Sequence, residues 1–279
     1  MLIKGLNGKC QVKGQKMIKI TKTVWFLAVV LVVVGFHCKA QGADGSAIAE
    51  KVPKKVPKFE KDIIKTSSGK VEISFIGHGT LMFNFNDKII HVDPVSRYAD
   101  YTEMSKADLI LVTHEHGDHL DTKAIDILKK EGTNLVLTKA CTEKVAGDIV
   151  MKNGEVKTVL GLKIEAVPAY NIVHKRSNGE PFHPKGRGNS YIITFDDKRV
   201  YVGGDTENTP EMKKLKNIDI AFLPMNLPYT MTPEMVADAA KAFKPKILYP
   251  YHYGQTDPSK LVDLLKDSKE IKVSIRKMR

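Results

Sequence analysis

Four side chains that commonly ligate metal ions lie within one short stretch of the sequence. The segment Leu109–Asp121 reads LILVTHEHGDHLD, and it places His114, His116, Asp118 and His119 directly after an apolar run. Neutral imidazoles and carboxylates are ligands of Zn²⁺ and of similar divalent ions. Two such ions, roughly 3.5–4 Å apart, can share a hydroxide that attacks a carbon or phosphorus centre. The spacing therefore predicts a two-metal hydrolytic site at this loop.

Such a site needs further ligands, and we expect them where later strands end. Asp205 lies in the string VGGDT after a predicted strand, and the two glycines before it let the backbone approach a ligand closely. His252 lies in the string YPYHYG at the end of another predicted strand. Alone, Asp205 is typical of a turn and His252 of a buried core histidine. The loop with four ligands favours the metal-binding interpretation for both.

The elements that must position these residues are mostly short strands, each bounded by Gly, Pro, Asn or Asp. The predicted strands are Val71–Ile76, Leu81–Phe85, Lys88–Val92, Leu109–Thr113, Asn134–Leu137, Leu162–Val167, Tyr191–Phe195, Arg199–Val202, Ile218–Leu223 and Ile247–Tyr249. Three helices are predicted over Asp121–Lys130, Pro233–Phe243 and Ser259–Leu265. Strands fill the first half and alternate with helices in the second, which predicts an α+β layered fold.

The composition is that of an ordinary folded protein. Its 279 residues, 42% of them hydrophobic and 7% aromatic, exclude a collagen, a disordered chain and a disulfide-rich miniprotein. The formal net charge of +12 is concentrated at the N-terminus, since residues 1–40 hold seven lysines and no acidic residue. The remainder has 37 basic and 32 acidic residues. So modest an excess predicts no nucleic-acid partner.

The N-terminus is typical of a secretory leader, and we predict a signal peptide over residues 1–40. The apolar run Val24–Phe36 follows a lysine-rich stretch, and Cys38 and Ala40 provide small residues for cleavage before Gln41. A run of this length spans roughly 20 Å as a helix, less than the roughly 30 Å hydrocarbon core of a bilayer. We therefore expect an exported protein, periplasmic or secreted, without a stable membrane span after cleavage.

The segments before the folded domain allow several alternatives. Met17 could be the true start, and the apolar run could stay uncleaved as an anchor. Lipidation of Cys38 is less favoured, because His37 occupies a position where such signals have a small residue. Between the leader and a domain at 69–279 we predict a linker over 41–68, since its string KVPKKVPK alternates proline with charge.

Together these motifs resemble the metallo-β-lactamase superfamily from about Val71 to the C-terminus. The most similar branch holds ascorbate-6-phosphate lactonase-like proteins and phospholipase-D-type hydrolases of N-acylethanolamine phospholipids. The resemblance implies an αββα sandwich with the metal site at one edge, between the two sheets. It implies that Asp205 bridges two metal positions and that Asp93 hydrogen-bonds a ligand histidine. Further matching strings are FIGHGT, HVDP, GGDT and IAFLPM, at Phe75–Thr80, His91–Pro94, Gly203–Thr206 and Ile220–Met225.

The third histidine of the first metal position is where the sequence departs from this family. Relatives carry it in a Pro-Ala-aromatic-His string, whereas Val167–Asn171 reads VPAYN. We favour His183, which an aromatic residue and a proline flank, over His174, which lies in an exposed polar stretch. Asn171 is a third option, although an amide oxygen is a poor zinc ligand. The predicted metal ligands are His114, His116 and His183 for the first ion, Asp118, His119 and His252 for the second, and Asp205 between them.

The function predicted on this basis is that of a metal-dependent hydrolase. A metal-bridging hydroxide would cleave an ester, lactone, amide or phosphodiester bond of a small-molecule or lipid-like substrate. Asp118 is the predicted catalytic residue, and either this residue or a metal-bound water would hand a proton to the leaving group. Zinc is the expected metal, with Mn²⁺ or iron as alternatives. Two other functions stay open: an iron-using redox or sulfur-handling enzyme of the same fold, and a non-catalytic exported metal-binding protein.

Overall fold

The computed structural model describes residues 59–279, which form two seven-stranded sheets with helices on their outer faces. The predicted signal peptide lies outside the described residues, as does the predicted linker up to residue 58. Within the described part, no helix is long and apolar enough to cross a bilayer. The first sheet holds, in chain order, β1 (Glu60–Lys65), β2 (Lys70–Gly77), β3 (Thr80–Phe85), β4 (Lys88–Val92), β5 (Leu109–Leu111), β6 (Asn134–Leu137) and β7 (Ile149–Val150).

The second sheet repeats the arrangement of the first. In each sheet the first four strands are antiparallel neighbours and the remaining three are added in parallel. Parallel neighbours require crossover connections, and the helices lie in these crossovers. The strands are β8 (Val156–Val159), β9 (Leu162–Ala169), β10 (Gly188–Phe195), β11 (Lys198–Val202), β12 (Ile220–Pro224), β13 (Ile247–Tyr251) and β14 (Lys272–Val273). The helices are α1 (Thr122–Leu128), α2 (Pro210–Lys213), α3 (Pro233–Phe243) and α4 (Ser259–Leu264).

The main core lies between the two sheets, whose inner faces are apolar. Phe83 of β3 and Phe195 of β10 have ring centroids 5.5 Å apart, and Phe75 of β2 packs on Phe222 of β12 at 6.1 Å. A second apolar cluster joins α3 to the outer face of the second sheet, and a third joins α1 to that of the first. Two sheets covered by helices form the αββα sandwich that the family resemblance implied, and this agrees with the α+β layered fold that the strand and helix pattern predicted.

Helix α3 begins and ends at the predicted residues because its caps are encoded locally. The Thr232 side chain accepts a hydrogen bond from the backbone N–H of Met235. Pro233 fills the first helical position, where its missing N–H leaves no bond unmade. Lys244 ends the helix in a left-handed conformation with φ of 50°. The helix then packs its buried face, which includes Val236, against the second sheet.

The predicted linker over 41–68 is wrong at its C-terminal end, because Glu60–Lys65 forms strand β1. This strand pairs antiparallel with β2 along its whole length. Both oxygens of Asp62 accept from Nη2 of Arg276, at 2.8 and 2.7 Å, and the Tyr249 hydroxyl donates to the same carboxylate at 2.5 Å. The sequence EKDIIK concealed this strand because it lies at the edge of the sheet, where charged side chains can face solvent.

His91 is a titratable residue whose side chain this fold buries completely. It lies on β4, is completely buried, and meets the ring of Tyr101 edge-on at 5.9 Å. Burial lowers the pKa of His91 to about 4, and the backbone at Ser105 opposes this effect only in part. The imidazole is therefore neutral in the folded protein at neutral pH.

We expect His91 to make folding sensitive to acid. Because its pKa is near 6.5 when unfolded and lower when folded, the unfolded chain takes up a proton first as the pH falls. Stability is fully present above pH 6.5 and declines toward pH 4, by about 2 kcal/mol between pH 7.5 and pH 5. Urea unfolding of the wild type and His91→Leu at both pH values measures this, since other titrating groups cancel in the difference. Equal pH dependence of the two proteins would contradict the expectation.

Candidate metal centre

The predicted ligands converge at the edge of the sandwich where strands of both sheets end. The loop from His114 to His119 follows β5, Asp205 follows β11, and His252 follows β13. The carboxyl ends of parallel strands are the usual place for a site in sheets of this kind. Two backbone hydrogen bonds join the sheets here, from N–H of His252 to the His78 carbonyl at 3.0 Å and from N–H of Asn189 to the Thr113 carbonyl at 2.9 Å.

The side chains form two compact groups of potential ligands. Within each group, one ligand atom per residue lies within 4.8 Å of all the others. In the first group, Nε2 of His183 is 3.2 Å from Nδ1 of His116. The first group is His114, His116, His183 and Asp205, and the second is His78, Asp118, His119 and His252.

The Asp205 carboxylate lies between the two groups. Its Oδ2 is 3.2 Å from Nε2 of His183 and 3.9 Å from Nε2 of His114, both of the first group. Its Oδ1 is 3.3 Å from Nε2 of His119 and 3.3 Å from Nε2 of His252, both of the second group. Each oxygen thus faces one group, which is the geometry of a bridging carboxylate.

Gly204 explains how Asp205 reaches this position. Its φ of +59° is a left-handed conformation that favours glycine. A Cβ atom on this residue would lie 2.9 Å from Cβ of Thr113, and Cβ atoms in folded proteins essentially never approach another heavy atom that closely. The glycine therefore lets the chain after β11 turn tightly against the loop that carries the histidines.

The groups fit divalent metal ions by their chemistry. Nε2 of His114, His119 and His252 and Oδ1 of Asp205 are buried and have no hydrogen-bond partner among the described residues. A buried polar atom without a partner costs about 1–3 kcal/mol, so such atoms are rare unless something else satisfies them. Imidazole nitrogens and carboxylate oxygens that converge in this way suit zinc and similar ions.

Comparison with known proteins agrees with this geometry. The beta-lactamase superfamily domain matches residues 72–252, which is more than half of the chain. The chain belongs to the metallo-β-lactamase superfamily. It is 31% identical over 223 residues to a UPF0173 metal-dependent hydrolase of Thermococcus onnurineus, covering 72% of this chain and 95% of that relative. The protein is accordingly a metal-dependent hydrolase, and the redox and non-catalytic alternatives are not favoured.

Two solved structures share the superfamily fold. A candidate metal-dependent hydrolase from Parabacteroides distasonis is 53% identical, with a TM-score of 0.76 over 80% of this chain and 100% of that one. Igni18, a metallo hydrolase from the archaeon Ignicoccus hospitalis, is 24% identical with a TM-score of 0.62 over 75% of this chain and 95% of that one.

The protonation states of this superfamily member suit metal ligation. Burial lowers the pKa of His114 well below its ordinary value, so its imidazole is neutral. Burial would raise the pKa of Asp205, but His252 and His119 outweigh it and hold the pKa well below the ordinary value. Burial likewise lowers the pKa of His119, but Asp205 and Asp93 outweigh it and raise that pKa. Metal binding is therefore expected to displace a proton from His119.

Asp93 orients the His119 ring by a hydrogen bond to Nδ1, while Nε2 faces the other potential ligands. Its Oδ2 accepts a hydrogen bond from Nδ1 of His119 at 2.7 Å, which leaves Nε2 free to ligate. The same carboxylate accepts from the backbone N–H and the hydroxyl of Thr113, at 2.7 and 2.6 Å. The structure thus places Asp93 beside a predicted ligand histidine, in the position that the resemblance implied.

His183 is oriented by Asn171, which occupies the position where the family resemblance led us to expect a histidine. Nδ1 of His183 donates to Oδ1 of Asn171 at 2.7 Å, and the backbone N–H of His183 donates to the same oxygen at 2.8 Å. The Asn171 amide is itself fixed, because Nδ2 donates to Oε1 of Glu207 at 3.0 Å and to the Tyr229 carbonyl at 2.9 Å. The structure brings His183 into the first group and gives Asn171 a supporting position beside it.

His174 lies outside both groups. Its Nδ1 donates to Oε1 of the fully buried Glu207 at 2.8 Å. Glu207 also accepts from the backbone N–H groups of Ile172, Val173 and His174, each at 2.7 Å. Glu207 was not predicted from the sequence, although it directly follows the GGDT string and this adjacency was a usable signal.

We expect Asn171→Ala to weaken the first metal position selectively. Without the acceptor on Nδ1, the His183 ring loses its fixed orientation, and outer contacts of this kind are worth about 10- to 100-fold in metal affinity. Zinc titration against a competing chelator measures the change. Asn178→Ala is the matched control, because this exposed asparagine forms its hydrogen bonds to Glu180 on the same loop. Equal affinities of the two variants would contradict the role of Asn171.

His78 is a group member that the sequence analysis did not include among the ligands. Its Nε2 is 3.3 Å from Oδ2 of Asp118, and its ring lies on that of His252 with centroids 3.6 Å apart. His78, Asp93 and His252 all have positive φ, at 54°, 46° and 47°. Non-glycine residues held in this conformation are strained, and they cluster at functional sites.

A cleft of about 450 Å³ opens above the two groups. Asp118 faces it with 37% of its side chain exposed, whereas Asp205 beneath is 3% exposed. Tyr229 lines one wall and packs its ring against Phe182 at 5.1 Å. Beyond these, the cleft is lined by Arg97, Gly117, Arg176 and Asn226.

Proposed function

We propose that the protein hydrolyses an ester, lactone, amide or phosphodiester bond at a centre of two divalent metal ions. The observation that carries the proposal is the Asp205 carboxylate, whose two oxygens face two separate groups of histidines. The unpartnered nitrogens of these groups support the same interpretation. A carboxylate shared in this way is typical of hydrolytic sites with two metals.

The residues of the proposed centre divide as the two groups do. His114, His116 and His183 would hold the first ion, and Asp118, His119 and His252 the second, with Asp205 between them. His78 would hold Asp118 in place, since their polar atoms are 3.3 Å apart. We propose zinc, because the donors are mainly imidazoles, and Mn²⁺ or iron are the alternatives that metal analysis distinguishes.

Hydrolysis adds water across the scissile bond, and the proposed roles follow from what each residue faces. When bound, the two ions supply Lewis acidity and a water activated for attack near neutral pH. Asp118 is open to the cleft, so its carboxylate can accept a proton from the attacking water and return it to the leaving group. Phe182 and Tyr229 form an aromatic wall on one side of the cleft, where an apolar part of a substrate can pack.

Metal analysis combined with an activity panel tests this proposal. Protein prepared without chelators is expected to contain about two transition-metal ions per chain and to hydrolyse at least one of four chromogenic classes. These are an ester, a lactone, an anilide and a phosphodiester. Dialysis against a chelator should abolish the activity, and zinc should restore it. Metal-free protein with undiminished activity would end the proposal.

We also propose that the protein is exported and acts on a small-molecule or lipid-like substrate outside the cytoplasm. The lysine-rich start, the apolar run Val24–Phe36 and the small residues before Gln41 support export. Intact-mass spectrometry of the protein from its native host is expected to show a chain that begins near Gln41. Retention of the apolar run would exclude cleavage, and a diacylglycerol on Cys38 would identify a lipoprotein.

A further inference from the structure

Two arginines line the cleft without a carboxylate partner. Arg97 and Arg176 border the same cleft as Asp118. Among residues 59–279, neither guanidinium forms an ion pair, although basic residues beside the cleft do. Lys185 pairs with Glu211 at 2.8 Å and Arg187 with Glu115 at 2.7 Å. The charges of Lys185 and Arg187 are therefore already matched by carboxylates, unlike those of the two arginines that line the cleft.

Arg176 is held in place by apolar and backbone contacts. Its guanidinium lies over the Phe182 ring, 5.1 Å from the centroid, and Nη2 donates to the Phe182 carbonyl at 3.3 Å. The turn that carries it is closed by hydrogen bonds from Arg176 N–H to the Glu180 carbonyl at 2.7 Å and from Gly179 N–H to the Arg176 carbonyl at 2.9 Å. A guanidinium has five N–H donors, so most of them stay available for a ligand.

Arg97 lies on the side of the cleft that the second group of potential ligands lines. Its neighbour Tyr98 stacks on His78 with ring centroids 5.3 Å apart. The turn is closed by a hydrogen bond from Tyr98 N–H to the Val95 carbonyl at 3.0 Å. Ser96 N–H donates to Oδ2 of Asp121 at 2.8 Å, which anchors the same turn to the start of α1. Both arginines thus extend from anchored turns, one beside each metal group.

The charge of the cleft favours an anionic ligand. Its acidic lining residues, Asp118 and Asp205, both belong to the metal groups. Two divalent ions would outweigh these carboxylates, and the two arginines add to the positive excess. Clefts lined by one sign of charge concentrate ligands of the opposite sign. A guanidinium matches a carboxylate or phosphate in geometry as well as in charge, because it can donate two parallel hydrogen bonds.

We propose that the substrate carries an anionic group, a carboxylate or a phosphate, near its scissile bond, and that Arg97 and Arg176 bind this group. The proposal rests on the proposed function, since it takes the cleft above the metal groups as the place of hydrolysis. The arginines act in recognition: they select and orient the substrate, and the bond is cleaved at the residues beneath them.

A matched series of ligands tests this recognition without requiring turnover. Valerate, glutarate and 4-phosphonobutyrate share one carboxylate and a similar chain, and they end in a methyl, carboxylate and phosphonate group, respectively. Isothermal titration calorimetry with zinc-loaded protein is expected to show at least one dianion binding about tenfold more tightly than valerate. In Arg97→Gln/Arg176→Gln this preference should disappear. The preferred dianion identifies the group as carboxylate or phosphate.

The control removes the same charge elsewhere. Lys277→Gln/Arg279→Gln changes two exposed basic residues that do not line the cleft, so it should retain the preference of the wild type. Equal affinity of wild type for all three ligands, or an undiminished preference in the cleft variant, would overturn the proposal. Because this experiment measures binding, its result is independent of the activity panel. If the protein prefers a dianion but hydrolyses none of the substrates, only the proposed function is refuted. If it hydrolyses a substrate but shows no preference for a dianion, only the proposed binding of an anionic group by the arginines is refuted.

Discussion

Asp205→Asn is expected to empty both metal positions at once. The substitution keeps the size of the side chain but removes the negative charge that faces His183 on one side and His119 on the other. Loss of metal ions forfeits several kcal/mol of transition-state stabilisation, which corresponds to about a thousandfold in rate. Elemental analysis and the hydrolytic rate measure the two effects on the same preparation.

The matched control for this variant is Asp219→Asn. Asp219 is also a buried carboxylate, but it lies just before β12, accepts from the backbone N–H of Arg199 and pairs with Lys246. Its replacement should lower the free energy of unfolding and leave the metal content unchanged. An Asp205→Asn protein that kept about two ions per chain would exclude the bridging role.

His183→Ala is expected to lose one of two ions, while His174→Ala keeps both. His183 contributes an Nε2 atom 3.2 Å from the Asp205 carboxylate, so its removal leaves the first ion with two histidines, fewer than catalytic zinc sites usually keep. His174 only donates to Glu207, and losing that hydrogen bond should cost about 1 kcal/mol of stability. Metal content and hydrolytic rate, measured after circular dichroism has verified the fold, separate the two variants.

Two outcomes would contradict this assignment. If His174→Ala lost the ion instead, the loop that carries it would have to rearrange away from Glu207. If neither variant lost an ion, the first position would need another ligand, and Asn171 is the nearest, since it already contacts His183 at 2.7 Å. Asn171→Ala combined with His183→Ala would distinguish that case.

Much of the fold could be predicted because many strands are encoded by local alternation. Lys88–Val92 and Asn134–Leu137 have the predicted bounds, since apolar runs lie between residues that favour turns. Glu60–Lys65 and Val156–Val159 were missed because exposed strands tolerate charge and need little apolar patterning. Lys272–Val273 was missed because two residues leave no pattern to detect.

Ligands that are adjacent in the sequence could be predicted from their spacing. Ligands that only the fold brings together were harder to predict. The string from His114 to His119 shows its chemistry by spacing alone. The path of the chain between β9 and β10 decides which of His183, His174 and Asn171 approaches the first group, and no local pattern encodes that path. His78 was not predicted as part of the site for the same reason, because its neighbour Asp118 lies 40 residues away in the sequence.

The two sheets are built from consecutive halves of the described chain, and this order has a consequence during synthesis. When the ribosome has released the strands of the first sheet, His78 and the loop from His114 to His119 are present, but neither ion position is complete. His183 and Asp205 lie between strands of the second sheet, and His252 follows β13 of that sheet. Loading of both ions should therefore wait for synthesis of the second sheet, and nascent chains stalled before residue 252 should not retain two ions.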